Sequence, residues 1–270
     1  MKQPARVLIV AGSDSGGGAG IQADIKTVTC LQGYAASAIT ALTAQDTRGV
    51  HGIMAVDCGF IEQQMAVVLA DIGADCIKTG MLYAAPAIET VARVIGELAP
   101  GVPLVVDPVM VSQSGERLLA AGAVAALRER LLPRAALVTP NLPEAEVLLE
   151  QRIEGREAMA EAARALLALG CPAVLLKGGH LEGDEVVDVL ATATAVERFV
   201  YPRVHTRATH GTGCTLASAI ATGLAQGLEL PAAVRRARAY LQRALESAFP
   251  LGHGHGPVNH LHTVSGFWQL

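Results

Sequence analysis

Val7-Leu8-Ile9-Val10-Ala11 is the stretch that decides the fold. This uninterrupted apolar run predicts a buried strand, residues 12–20 form a glycine-rich loop, and residues 19–32 carry a helical pattern that stops at Gly33. A buried strand that passes through a short loop into a helix is the repeating unit of a parallel sheet. This first unit therefore predicts an α/β fold.

The same alternation of strands and helices continues along most of the chain. Further strands are predicted at residues 35–43, 76–78, 103–107, 136–138 and 173–177, and helices at 61–72, 85–98, 118–132, from 141, 157–169, 214–226 and 231–248. Residues 186–190 and 196–201 alternate apolar and polar side chains, which predicts an antiparallel hairpin at one sheet edge. We predict a single three-layer α/β/α domain over residues 1–270, with a mostly parallel sheet.

The composition limits the classes of function. Of the 270 residues, 51% are hydrophobic and 3% aromatic, so we expect a large aliphatic core. The formal net charge is −4, so we do not expect a nucleic-acid partner. The five cysteines form no CxxC pair, which argues against disulfides and zinc. The apolar run at 7–11 is too short for a signal peptide, and no segment predicts a membrane span. We expect a cytoplasmic protein.

Thr209-His210-Gly211-Thr212-Gly213-Cys214-Thr215 comes just before an apolar helical pattern. Glycines at a helix entrance leave backbone N–H groups free to face a phosphate, which the positive end of the helix dipole also attracts. A cysteine in the same first turn is expected to have a stabilised thiolate. This motif makes a phosphoryl-transfer enzyme the leading hypothesis.

The glycine-rich loop at 12–20 is open to three interpretations. It lacks the Lys-Ser/Thr pair of a P-loop, and residues 18–23 fit only the relaxed dinucleotide fingerprint G-x-G-x-x-A. The loop is otherwise a flexible turn that needs positive φ angles, or a substrate loop that lets a small ligand approach the backbone. Ligands of such folds bind at the carboxyl ends of strands, where Gly12 and the motif Lys78-Thr79-Gly80-Met81 both lie.

Four polar residues at other strand ends could carry chemistry. Asp107 could hold a metal through water or merely begin a turn before Pro108, and Glu144 could be a second contact to hydrated Mg²⁺ or the capping-box partner of Asn141. Lys177 suits a nucleotide phosphate better than a surface position. Gln45 could bind the edge of a heteroaromatic ring or lie on the surface.

Four histidines lie within ten residues near the C-terminal end of the sequence: His253, His255, His260 and His262. No acidic or thiol side chain accompanies them, which argues against a metal site. The neighbouring Gly254, Gly256 and Pro257 predict a mobile tail, at the surface or at the edge of a pocket.

Together these motifs resemble the hydroxymethylpyrimidine/phosphomethylpyrimidine kinases of thiamin biosynthesis, in the ribokinase-like superfamily. Seven motifs in the same order carry the resemblance, which runs from residue 9 to about residue 262. They lie at residues 11–26, 40–47, 78–82, 107–110, 139–145, 177–180 and 209–215.

The resemblance implies a ribokinase-like fold and a homodimer that uses ATP and Mg²⁺. It would phosphorylate the hydroxymethyl group of 4-amino-5-hydroxymethyl-2-methylpyrimidine and then the resulting monophosphate. Gln45 would bind the aminopyrimidine edge, and Gly12, Asp24, Met81 and Val109 would surround the ring. Asp107 and Glu144 would serve the hydrated metal and the phosphates, Lys177 would contact nucleotide phosphate, and Gly211, Thr212 and Gly213 would form the anion hole.

Cys214 stands where many members of the superfamily carry a catalytic aspartate. A thiol is a weak base, but phosphoryl transfer is loose enough to need little proton removal before the transition state. The nearest alternative function is a pyridoxine or pyridoxal kinase. An oxidoreductase that binds a dinucleotide at residues 18–23 and a non-catalytic ligand-binding relative are the alternatives from other classes.

Overall fold

A nine-stranded sheet is the centre of the computed structural model, which describes residues 3–112, 115–120 and 122–264. Its strands are β1 (Arg6–Asp14), β2 (Tyr34–Gln45), β3 (Val50–Ala55), β4 (Cys76–Thr79), β5 (Leu104–Val106), β6 (Leu137–Val138), β7 (Ala173–Leu176), β8 (Glu185–Thr192) and β9 (Val196–Pro202). The order across the sheet is β3-β2-β1-β4-β5-β6-β7-β8-β9. The six central strands of this order, β2, β1, β4, β5, β6 and β7, are parallel to one another. The outer strands β3, β8 and β9 are antiparallel to their neighbours.

Helices cover both faces of the sheet. They are α1 (Gly20–Cys30), α2 (Cys58–Asp71), α3 (Ala85–Leu98), α4 (Ala123–Ala126), α5 (Leu142–Leu149), α6 (Met159–Leu167), α7 (Thr212–Ala225) and α8 (Leu230–Glu246). Successive β1 side chains point to opposite faces: Leu8 and Val10 pack with α2 to α6, whereas Val7, Ile9 and Ala11 pack with α1, α7 and α8. The predicted three-layer architecture and the β8–β9 hairpin are therefore confirmed. Among the described residues, no helix is both long and apolar enough to cross a membrane.

The sequence analysis missed β3, which extends the sheet at the edge opposite the hairpin. Four of its six residues are exposed, so the strand has no apolar stripe that marks it in the sequence. The predicted helix at 118–132 was wrong at its start, since α4 begins only at Ala123. Gly122 adopts a left-handed φ of 81° there, and the amides of Leu118 and Leu119 donate instead to the Met110 carbonyl.

The predicted mobile tail is also wrong for the residues that the structure describes. The amide of Asn259 donates to the carbonyl of Ala244 at 3.0 Å, and a 3₁₀ turn at His260–Thr263 packs against α8. The Nδ1 atom of His260 lies 2.9 Å from the hydroxyl of Tyr240, whose ring is 4.8 Å from the His262 ring. Only 7% of His260 is exposed. His260 is therefore part of the packed structure and His262 lies beside Tyr240, whereas His253 and His255 are exposed.

Burial lowers the pKa of His260 to about 4, and the positive charges of Lys26 and His262 act in the same direction. Because the folded-state pKa lies below the ordinary value of 6.5, the unfolded chain binds this proton more readily. The contribution of neutral His260 to the free energy of unfolding is therefore fully present above pH 6.5. It is lost as the pH falls from 6.5 toward 4.

We predict that His260→Gln removes part of the acid sensitivity of the fold. Between pH 7 and pH 4.5, the free energy of unfolding of the wild type should fall on the order of 2–3 kcal/mol more than that of the variant. Urea titrations at a series of pH values measure this difference. His205 is exposed, so His205→Gln is the control and should follow the wild type. Parallel pH profiles for wild type and His260→Gln would contradict the prediction.

Candidate active site

A cavity of about 520 Å³ opens at the carboxyl ends of the parallel strands. Its position agrees with the rule that α/β sheets bind ligands at this edge. Eleven of the twelve predicted site residues line it: Gly12, Gln45, Met81, Asp107, Val109, Glu144, Lys177, Gly211, Thr212, Gly213 and Cys214. The structure therefore brings together side chains that are separated by up to 200 positions in the sequence.

The phosphate-binding motif at 209–215 forms the entrance to α7. Gly211 is the N-cap residue with a left-handed φ of 80°, and α7 begins at Thr212. A Cβ atom on Gly211 would lie 1.9 Å from the carbonyl oxygen of Gly18, so this position excludes every side chain. We call residues 209–214 the anion loop. Because its glycines carry no side chains, the first amides of α7 can approach an anionic group closely.

The glycine-rich loop at 12–20 packs directly against the anion loop. A Cβ atom on Gly18 would lie 2.3 Å from Cδ2 of His210, and one on Gly20 would lie 2.4 Å from the Gly12 carbonyl. Gly18 therefore permits close contact between the two loops, and Gly20 permits close packing within the glycine-rich loop. Since the anion loop covers Gly18, the residues of the relaxed dinucleotide fingerprint are used for packing.

Asp107 and Lys177 form an ion pair beneath the anion loop. Nζ of Lys177 donates to Oδ1 of Asp107 at 2.8 Å, and the Thr139 hydroxyl donates to the same oxygen at 3.1 Å. A Cβ atom on Gly213 would lie 3.3 Å from the Lys177 amine and 3.5 Å from Oδ2 of Asp107. Burial alone would raise the pKa of Asp107, but the charges of Lys177 and Lys78 lower it. A carboxylate and an ammonium group therefore lie beside the first turn of α7.

Glu144 forms the capping box that the sequence left open, and it also faces the cavity. Its carboxylate accepts from the Asn141 amide at 2.8 Å while its own amide donates to the Asn141 side chain at 2.9 Å, so the capping box is present. The same side chain lines the cavity and is buried. Burial raises the pKa of Glu144 to about 7, the nearby charge of Lys177 opposes this rise, and the charge of Asp107 adds to it.

The expectation of a stabilised thiolate at Cys214 is wrong. Burial of its surroundings raises the pKa of the thiol to about 12, although the charge of Lys78 acts in the opposite direction. The position at a helix N-terminus does not outweigh this burial, and the negative charges of Asp24 and Asp107 raise the pKa of the thiol further. Cys214 therefore carries its proton at neutral pH.

Asp24 is the one predicted site residue that the structure does not place on the cavity wall. Its carboxylate is fully buried, with both oxygens 2.8 Å from Nζ of Lys78, and Oδ1 also accepts from the Ser218 hydroxyl at 2.6 Å. Burial alone would lower the pKa of Lys78, but the charge of Asp24 raises it. Lys78 itself lines the cavity, so Asp24 acts on the site through this lysine.

Gln45, Gly12, Met81 and Val109 line one end of the cavity. Gln45 ends β2, where its backbone N–H donates to the hydroxyl of Ser15 and its carbonyl accepts from the same hydroxyl, each at 2.8 Å. A Cβ atom on Gly12 would lie 3.0 Å from the sulfur of Met81, so only glycine leaves this space open. An amide at the edge of a partly apolar compartment suits the donor and acceptor pattern of a flat heteroaromatic ring.

An Asp14–His210 pair is a feature of the site that sequence reasoning missed. Oδ2 of Asp14 lies 2.8 Å from Nε2 of His210 and accepts from the amides of Gly18 and Ala19. Burial alone would raise the pKa of Asp14, but these hydrogen bonds lower it. In the sequence, Asp14 and the glycines at 16–18 indicate a local turn. No residue near Asp14 indicates a partner 196 positions away.

The other end of the cavity reaches an apolar cleft that the sequence did not indicate. Side chains from β8, β9 and α8 and their flanking residues line this part: Val186, Pro202, Val204, Leu241 and Leu245. Arg203 closes the cleft on one side, because its guanidinium donates to the carbonyls of Gly179 and Gly183 at 3.1 and 2.7 Å. Because α7 packs against β1, β4 and β5, which lie between β2 and β8 in the sheet, the anion loop lies between this cleft and the Gln45 end of the cavity.

Comparisons with known proteins agree with this arrangement. The phosphomethylpyrimidine kinase family model matches residues 14–259. A thiamine biosynthesis bifunctional protein of Geobacter sulfurreducens is 55% identical over 94% of this chain and 52% of its own length, so the chain spans about half of that relative. A hydroxymethylpyrimidine/phosphomethylpyrimidine kinase of Streptomyces coelicolor is 48% identical over 95% of this chain and 94% of its own length.

The same fold occurs in a solved kinase structure with bound nucleotide. The crystal structure of an ADP complex of Bacillus subtilis pyridoxal kinase superimposes with a TM-score of 0.88 and 36% identity, covering 96% of this chain and 98% of that one. The match of the family model across nearly the whole cavity-bearing chain places this protein in the phosphomethylpyrimidine kinase family.

Proposed function

We propose that this chain transfers a phosphoryl group from ATP to the hydroxymethyl group of 4-amino-5-hydroxymethyl-2-methylpyrimidine, and then to the monophosphate, in thiamin biosynthesis. One observation carries the proposal. The anion loop and the Lys177–Asp107 pair lie between a compartment edged by Gln45 and an apolar cleft. Such an arrangement places an acceptor alcohol and a nucleotide on opposite sides of one phosphate site. Residues 1–270 act as one kinase domain.

Gln45 binds the amino and ring-nitrogen edge of the pyrimidine in this proposal, with Gly12, Met81 and Val109 around the ring. The apolar cleft takes the base of ATP, and Lys177 turns from Asp107 toward the nucleotide phosphates. Amides of Gly211, Thr212 and Gly213 stabilise the negative charge that spreads over the transferring group. Positioning and charge neutralisation therefore supply most of the rate acceleration.

Mg²⁺ is the cation that the acidic residues of the cavity fit. The described residues contain no group of three His, Cys, Asp or Glu side chains arranged to enclose a metal, but Asp107 and Glu144 face the same cavity. Magnesium keeps several waters and takes few protein carboxylates, so Asp107 and Glu144 would hold it through water. When bound, it would neutralise charge on the nucleotide phosphates.

Cys214 orients the acceptor hydroxyl in this mechanism and is not required as a thiolate. The oxygen of the alcohol attacks phosphorus as the bond to the ADP oxygen breaks. The hydroxyl proton leaves late, because the transition state is loose, and passes to an oxygen of the transferred phosphoryl group. A protonated thiol with a pKa near 12 can donate or accept a hydrogen bond without removing that proton beforehand.

We predict that Cys214→Ala lowers kcat by about 10- to 100-fold without abolishing turnover, less than the loss of an essential general base would cause. Cys58 is the matched control, because it also begins a helix but lies outside the cavity. Steady-state assays of ADP release should show Cys58→Ala at wild-type rates. Full activity of Cys214→Ala would disprove a role for the thiol in the reaction.

Pyridoxal phosphorylation is the second candidate, favoured by the likeness to the Bacillus subtilis pyridoxal kinase. The higher identity to the kinase of Streptomyces coelicolor favours the pyrimidine. We predict that ADP release from Mg·ATP gives a kcat/KM about tenfold higher or more for hydroxymethylpyrimidine than for pyridoxal, because Gln45 matches the aminopyrimidine edge. The monophosphate, assayed in parallel, should also be phosphorylated. Preferential turnover of pyridoxal would refute the proposed substrate.

We also propose a homodimer that uses the free edge of β3. Met54 is 60% exposed, and its cross-strand partner Leu42 is 38% exposed on the same face. An unpaired sheet edge with exposed apolar side chains is suited to contact with a second copy.

The five cysteines are free thiols, which supports a cytoplasmic location. The net charge of −4 supports small molecules rather than nucleic acid or membranes as partners.

We predict that Met54→Glu converts the dimer to a monomer, because a stable interface buries about 800 Å² per subunit and tolerates no unpaired charge at its centre. Light scattering after gel filtration measures the mass. Val200 on β9 is 51% exposed at the opposite edge, so Val200→Glu should remain dimeric. A monomeric wild type, or a dimer that persists in Met54→Glu, would contradict this interface.

A further inference from the structure

The segment at residues 251–257, which we call the strap, lies between two parts of the candidate site. On one side it binds Thr47, in the turn between β2 and β3. The amides of His253 and Gly254 each donate to the Thr47 hydroxyl at 3.1 Å, and the His255 amide donates to the Thr47 carbonyl at 2.7 Å. The side chain and the backbone of one threonine therefore hold three consecutive amides of the strap.

On its other side the strap binds the anion loop. The amide of His210 donates to the Gly256 carbonyl at 3.0 Å, and His210 and Pro257 form an isolated parallel bridge. Nδ1 of His255 also lies 3.4 Å from the hydroxyl of Thr209. Beyond the strap, Val258 is buried and Asn259 is bonded to α8. The strap is therefore anchored to the body of the protein while it contacts both loops.

Two glycines make the contact with Thr47 possible. A Cβ atom on Gly254 would lie 1.9 Å from the Thr47 carbonyl oxygen, and one on Gly252 would lie 2.3 Å from the Thr47 hydroxyl. Gly256 differs, because the nearest atom to its Cβ position is 3.4 Å away. Gly254 is therefore closely packed against Thr47, whereas Gly256 has room for a methyl group. The two glycines form a matched pair for experiment.

The strap joins two backbone segments, the turn at Thr47 and the anion loop, whose neighbouring side chains meet inside the cavity. Thr47 follows Gln45 by two residues, and Nε2 of Gln45 lies 3.4 Å from Nε2 of His210. Thr47 binds one end of the strap and His210 binds the other. Within the turn, the carboxylate of Asp46 accepts from the amides of Arg48 and Gly49, and the strap adds three hydrogen bonds to Thr47 from outside the turn.

We infer that Thr47 is a positioning residue, which fixes the distance between the pyrimidine-binding end of β2 and the anion loop through the strap. This inference rests on the proposed role of Gln45 in binding the pyrimidine. If the strap detaches, Gln45 and the anion loop no longer hold the acceptor alcohol at a constant distance from the transferring phosphate. Displacements of about 1 Å are enough to reduce catalysis by orders of magnitude.

Steady-state kinetics of four full-length variants test the inference. Thr47→Val removes the acceptor and keeps the shape, whereas Thr47→Ser keeps the acceptor. We expect Thr47→Val to lower kcat about tenfold and to raise KM for hydroxymethylpyrimidine about tenfold, while KM for ATP changes less than about twofold. Thr47→Ser should behave as the wild type. Gly254→Ala should reproduce Thr47→Val, and Gly256→Ala should resemble the wild type.

Hydrogen exchange provides a readout that does not depend on turnover. The His210 amide is bonded to the strap, so peptides that contain residues 209–214 should exchange faster in Thr47→Val and Gly254→Ala than in the wild type or in Gly256→Ala. Thermal unfolding of each variant verifies that the protein remains folded under the assay conditions.

Two results would overturn the inference. The first is unchanged hydrogen exchange of residues 209–214 in both Thr47→Val and Gly254→Ala. The second is an equal rise of KM for ATP and for the pyrimidine, which indicates that the whole cavity has become less ordered. A wild type without activity on the pyrimidine would refute the proposed function instead. In that case the exchange data alone would decide whether the strap controls the anion loop.

Discussion

The Lys78–Asp24 ion pair is the interaction on which the arrangement of the site depends. It joins β4 at the centre of the sheet to α1, and Ser218 of α7 binds the same carboxylate. Both side chains are completely buried, so removal of either partner would leave an uncompensated charge at a cost of about 3–5 kcal/mol. The glycine-rich loop comes before α1 and the anion loop before α7. One buried pair therefore fixes the relative position of both helices that carry the loops.

The charged groups of the cavity wall near the anion loop, together with Asp24 directly behind Lys78, nearly balance. Lys78 and Lys177 are positive, whereas Asp24, Asp107 and Glu144 are acidic, and the pKa of about 7 for Glu144 means that its charge responds to small changes nearby. A nucleotide with its cation brings charges of both signs into this space. Because Glu144 can gain or lose a proton near neutral pH, it can offset the change in local charge when Lys177 turns from Asp107 toward the nucleotide. The capping box keeps the carboxylate in place in either state.

Much of the fold could be predicted because buried parallel strands are continuous apolar runs with glycine-rich or polar residues at their carboxyl ends. The same rule located Asp107 and Lys177, which the structure brings within 2.8 Å of each other. β3 could not be predicted, because an exposed edge strand lacks an apolar face. The Asp14–His210 pair and the strap depend on contacts across about 200 residues, for which one sequence contains no signal. For Cys214, local helix geometry suggested a low pKa, but the effect of burial is visible only after folding.

The strap also has a consequence for the order in which the protein is made. Thr47 and the strap amides are separated by 206 and 207 positions, and every strand of the sheet lies before the strap in the sequence. A chain leaving the ribosome therefore exposes the complete sheet before the last contact at the cavity can form. Contacts of such large sequence separation form slowly. Synthesis and the final closure of the site are thus separate events, and a nascent chain can be folded in its core well before it is competent for substrate.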